Sequence, residues 1–87
     1  MAEEQPVGYV SHYFGKISVA AVELYGTLRL GDWVQIYGNT TNFAQQVTSM
    51  QIEREPVEEA HEGQSIGILV DYTVREGDYV YLIPPPE

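Results

Sequence analysis

Short apolar stretches alternating with polar positions, and punctuated by glycine, run from Val7 to Ile83 without a sustained helical period. The pattern predicts six strands. The first spans Val7 to Phe14 and the second Ile17 to Tyr25, separated by a turn at Gly15-Lys16. Within the second, Ile17, Val19 and Ala21 fit one face and Val22 and Leu24 the other, so the alternation changes phase near Ala20-Ala21, as at a bulge or a strand covered on both faces. Gly26 interrupts, Leu28-Arg29-Leu30 leads into a tight turn at Gly31-Asp32, and Trp33 to Tyr37 follows with Val34 and Ile36 inward.

Gly38 to Asn42 is a loop by composition. Phe43 to Glu53 reads as one long strand, with Met50 and Ile52 in phase and Val47 out of phase, which again implies a bend. Pro56 ends its pairing, and residues 57–63 have room for at most one helical turn, stopped by Gly63. Ser65 to Asp71 places Ile66, Ile68 and Val70 on one side. Arg75 to Asp78 is the next turn, and Tyr79 to Ile83 the last strand. Pro84-Pro85-Pro86 lacks ladder donors and ends the sheet. The expected fold is an all-β, six-stranded, closed or nearly closed antiparallel barrel of Greek-key type, since closure removes exposed edges. Residues 1–6 form an acidic tail expected to be disordered, 7–83 a single barrel domain and 84–87 a proline-rich tail.

Composition narrows the possible functions. A chain of 87 residues buries only about 60% of its unfolded surface on folding. It has no cysteine, and so neither a disulfide nor a thiolate metal site. Four Lys and Arg face thirteen Asp and Glu, a net charge of -9, which repels polyanions at long range and disfavours high-affinity nucleic-acid binding. A partner with a basic protein surface suits that balance. The N-terminal residues lack the basic and apolar regions of a signal peptide, and no apolar run is long enough to span a membrane, so a cytoplasmic location is expected.

Three phrases carry a family likeness: Leu30-Gly31-Asp32, the run from Ser49-Met50-Gln51 through Val57-Glu58-Glu59-Ala60 and Gly63 to Ile66-Gly67-Ile68, and Val74-Arg75-Glu76-Gly77-Asp78. Together with Val7-Gly8-Tyr9-Val10 they resemble the second, β-barrel domain of elongation factor Tu-type translation factors, over roughly Val7 to Ile83. Gly63-Gln64-Ser65-Ile66-Gly67-Ile68 is similar to that domain's Gly-Asp-x-Val-Gly motif, with Gln64 in place of Asp. His12 to Ile17 and Ser49 to Glu53 look closer to stand-alone elongation factor-like proteins, and also resemble the C-terminal barrel of collagenase-like peptidases, some of whose relatives take part in RNA modification. The phosphate loop G-x-x-x-x-G-K-S/T is missing, so GTPase activity by this chain alone is excluded.

No catalytic constellation is readable, and no cofactor is implied. His12 and His61 lie in no nucleophile motif. Glu58, Glu59, His61 and Glu62 form the densest group of oxygen and imidazole ligands, at a spacing that matches no known metal loop. Two segments are candidate partner contacts. In the first, Phe14 is expected in the core, leaving His12, Tyr13 and Lys16 at a hairpin tip to stack on or grip a partner. The second is the polar loop tip Asn39, Thr40, Thr41 and Asn42. Exposed tyrosines, Tyr37, Tyr72, Tyr79 and Tyr81, would mark a protein interface or a homodimer patch if they cluster.

The first functional expectation is a non-catalytic interaction module that binds a protein or ribonucleoprotein of the translation or RNA-modification machinery. The second is a separately encoded accessory subunit of an enzyme of the collagenase-like peptidase type. Direct RNA binding is third, because of the charge.

Overall fold

The computed structural model describes residues 5–86, and these are all-β, with no helix among them. The strands are β1 (Pro6–Phe14), β2 (Val19–Leu24), β3 (Leu28–Arg29), β4 (Trp33–Tyr37), β5 (Asn42–Gln46), β6 (Met50–Ile52), β7 (Glu55–Pro56), β8 (Glu59–Ala60), β9 (Ser65–Leu69) and β10 (Tyr79–Ile83). Eight form one antiparallel sheet in the order β5-β4-β10-β1-β2-β9-β6-β7, and β3 pairs with β8 in a second ladder. Pro6 already belongs to β1, and Pro84 to Pro86 lie beyond β10, exposed. Of the tail expected to be disordered over residues 1–6, residues 1–4 lie outside the described residues, as does Glu87 at the other end.

Against the expected six-stranded, closed or nearly closed barrel, the described residues form eight strands in a sheet that is not closed and ends at β5 and β7, plus the two of the second ladder. The expected long strand from Phe43 to Glu53 is two strands, β5 on β4 and β6 on β9, separated by 47–49. Val47 causes the break by turning into the core, where it is 1% exposed, while its backbone bonds to Gly31 and Asp32, both at 2.8 Å. Beside the break, buried Gln45 replaces ladder bonds with its carboxamide. Its Nε2 donates to the Leu69 carbonyl at 2.8 Å, and the Asp71 N–H donates to its Oε1 at 2.8 Å. Both polar ends of a buried side chain are thus satisfied, which removes the desolvation cost of placing it there.

The expected irregularity in the second strand belongs to its neighbour. β2 alternates cleanly, with Ala20, Val22 and Leu24 buried. In β1, Val10 faces Val22 but His12 faces Ala21, so Ser11 is the extra residue of a bulge. The bulge reverses the inward phase beyond it: Tyr13 packs against the core, whereas Phe14, expected inside, is 46% exposed. Ile17, expected in the second strand, sits exposed in the turn over 15–18, which ends at Ser18 with φ 58°.

Residues 57–63 hold no helical turn either. Ala60 is fully buried opposite equally buried Leu28, and the segment is drawn out as β8 to seat that pair. Glu55-Pro56 folds back on β6 through a two-residue turn, Glu53-Arg54, and the ladder ends with Pro56 opposite Gln51.

Three turns share one construction. In Arg29–Asp32, His61–Gln64 and Arg75–Asp78 the fourth residue's N–H donates to the first residue's carbonyl at 3.0 to 3.1 Å. The third residue is a glycine with φ near 90°, the positive value that a type II turn asks of that position. The fourth side chain then accepts from the first residue's N–H: Asp32 Oδ2 at 2.9 Å, Gln64 Oε1 at 2.7 Å and Asp78 Oδ2 at 2.8 Å. Gln64 therefore does the work of the expected Asp. The core between these turns is aliphatic, with Val10, Val22, Val34, Ile36, Met50 and Ile68 at 2% exposure or less.

Candidate functional site

The outer face of β1, β10 and β4 carries a row of tyrosines. Register puts Tyr9 opposite Tyr79 and Tyr79 opposite Tyr37, so three rings cross three adjacent strands on one side of the sheet. Tyr81, two residues along β10, lies on the same face with its ring centroid 6.5 Å from that of Tyr79. Tyr25, just past the end of β2, tilts against Tyr9 at 5.7 Å, and its N–H is held by the Val7 carbonyl at 2.8 Å. Tyr25, Tyr37 and Tyr79 each keep close to half their surface exposed. Desolvation, followed by repulsion from Tyr79 and Tyr9 on ionisation, raises the Tyr25 hydroxyl above its ordinary value of 10.0.

A groove of about 650 Å³ opens in this face, lined by Tyr37, Tyr79 and Tyr81 together with Asn39 and the Arg75–Asp78 turn. Glu76 on its lining bonds His12 Nδ1 at 3.0 Å, and the His12 ring meets Phe14 edge-on at 4.4 Å. The bulge at Ser11 is what turns His12 and Phe14 outward together. Asp78 is 4% exposed and packs against Gly38, where a Cβ would lie 1.9 Å from its Oδ1. Gly38 and Asp78 thereby join the two turns beside the groove.

The structure distributes the residues read from the sequence unevenly. Asn39 lines the groove and His12 touches its edge through Glu76. Thr40, Thr41 and Asn42 instead line a second depression with Phe43 and Tyr72, whose rings meet edge-on at 5.0 Å, and Thr41 is buried. Tyr13 faces the core, and Lys16 stands exposed on the turn over 15–18. Tyr37, Tyr79 and Tyr81 line the groove together, while Tyr72 belongs to the second depression. Tyr9 and Tyr25 were missed. Only strand order brings Tyr9 to Tyr79.

The Glu58–Glu62 run does not converge, and among the described residues no group of three or more His, Asp or Glu is arranged to hold a metal ion. Glu59 accepts from Arg29 Nε at 2.9 Å and pairs with His61 Nε2 at 3.0 Å, while His61 Nδ1 lies 3.3 Å from Thr27 Oγ1. This hydroxyl, imidazole and carboxylate succession superficially matches a nucleophilic triad. Its histidine and glutamate are 56% and 42% exposed, and the carboxylate is shared with Arg29, so the network ties β3 to β8 at the surface.

No family model matches the chain. An uncharacterized protease of Methanocaldococcus jannaschii is 42% identical over 78 residues, covering 88% of this chain and 19% of that protein. The chain thus spans about a fifth of the curated relative it matches. Two crystal structures of the C-terminal domain of a Geobacillus thermoleovorans protein assigned to the U32 peptidases share the fold. One, a selenomethionine variant, has a TM-score of 0.83 at 22% identity over 88% of this chain and 98% of the domain; the other has 0.85 at 23% over 93% of each. The chain thus resembles the C-terminal domain of a U32 peptidase in fold and part of a protease in sequence, and these comparisons do not show the likeness to a translation-factor domain.

Proposed function

We propose that this chain is an accessory β-domain of a collagenase-like, U32-type peptidase, contributing a contact surface while the bond-breaking groups reside in other parts of the enzyme. One observation carries the reading. A 42% sequence likeness is confined to about a fifth of a protease's length, and that stretch has the size of a whole β-domain. An interaction module is also what the translation-factor reading calls for, and the peptidase likeness supplies the kind of enzyme it would serve.

The test replaces the matched stretch of the Methanocaldococcus jannaschii protease with this chain and compares the chimera with the intact and the deleted protease. Melting temperature and hydrolysis of gelatin are both read. The chimera is expected to keep the intact protein's values to within about threefold in rate, with the deleted protein clearly below them. A chimera indistinguishable from the deletion in both readouts overturns the proposal.

A further inference from the structure

We infer that the tyrosine face is a docking surface for an arginine-bearing segment of a protein partner. The face has the right chemistry for a guanidinium. Tyr9, Tyr37 and Tyr79 stand in one row on three adjacent strands, and a tyrosine ring's negative π-face attracts a cation stacked on it. Charged groups border the row: Glu23, which accepts from Ser65 Oγ, lies opposite Tyr9 across β1 and β2, and Glu76, paired with His12, lines the groove beside Tyr79 together with Arg75. Each carboxylate thus has one oxygen left to accept from a guanidinium. Arginine can stack on a ring and donate to a carboxylate at once, because its fork is planar and its charge weakly hydrated, whereas lysine offers only a compact, strongly hydrated ammonium.

Charge decides among the occupants that an aromatic face otherwise admits. A second copy would bring two chains of net charge -9 together, and a nucleic acid would add a polyanion, so both are repelled. A basic protein segment is attracted. The inference rests on the accessory-domain reading for the identity of the partner, and on the face itself for its chemistry.

The test titrates the isotopically labelled full chain with a short peptide of alternating arginine and glycine, followed by amide shifts, and with the same peptide carrying lysine. Saturable shifts are expected at Tyr9, Tyr37, Tyr79 and the turn over 75–78, with the lysine peptide weaker by severalfold. Tyr37→Ser with Tyr79→Ser should weaken binding about tenfold, two exposed cation–π contacts being worth roughly that much, while Tyr37→Phe with Tyr79→Phe should retain it. Shifts centred on the Glu58–Glu62 run, equal affinity for both peptides, or a folded serine double variant that binds undiminished would each overturn the inference. A chimera that behaves as intact protease while its peptide shifts fall elsewhere defeats only the face. Arginine binding on the face alongside a failed chimera defeats only the accessory reading.

Discussion

Gly38 is a single residue on which the groove's geometry depends. Its missing Cβ leaves room for the Asp78 carboxylate, which reaches past it to hold the Arg75 N–H at 2.8 Å. Gly38→Ala would displace that carboxylate from a site where it is only 4% exposed, and it would lose its bond. The expected cost is about 2–3 kcal/mol, read as a fall in melting temperature on the order of 10 °C. Glu53 and Arg54 present the opposite case. Both hold positive φ, 50° and 70°, to form a two-residue hairpin turn that asparagine and glycine occupy with far less strain. Glu53→Asn combined with Arg54→Gly should stabilise the chain by roughly 1–2 kcal/mol in a urea titration. An unchanged midpoint would show that the turn is not strained.

At the scale of elements, the recurrent Gly-Asp phrases were legible as turns, and the structure adds how they work. Each closes with a side chain accepting from the N–H three residues earlier, so a longer amide replaces an aspartate at Gln64 without losing the bond. Gln64→Ala is expected to cost about 1 kcal/mol and Gln64→Asp less than half of that, as read by thermal melts. The inward positions Val34, Ile36, Ile66, Ile68 and Val70 were also readable, because simple alternation reports a face wherever a strand is regular. Irregularity defeated the same reasoning. The phase change visible in Ile17 to Leu24 reflects Val19 and Ala21, half-buried on the face opposite Ala20, Val22 and Leu24, and the bulge at Ser11 leaves no mark in β1's own composition. Local pattern is likewise blind to pairing partners, so β3 and β8, two residues each, and the tyrosine row across β1, β10 and β4 emerge only from register. Of that row, Tyr37 and Tyr79 were anticipated as exposed aromatics and Tyr9 was not. The histidine and loop candidates were chosen for local chemistry, and of these His12 and Asn39 alone reach the groove.

For the molecule as a whole, charge and shape act together. Thirteen acidic residues against four basic ones disfavour a polyanion on the aromatic face, which is why a basic protein segment is proposed there. The likeness to part of a protease supplies a setting in which such a surface would lie on the rest of an enzyme. Both parts of the account meet in one measurement: a photoreactive phenylalanine analogue placed at position 79 of the chimeric protease, with the cross-linked peptides identified by mass spectrometry. The account predicts adducts within the remaining four fifths of the protease, on peptides that contain arginine, and their loss when the probe is moved to exposed Leu69 on β9. Equal capture from both positions, or none from position 79, would contradict it.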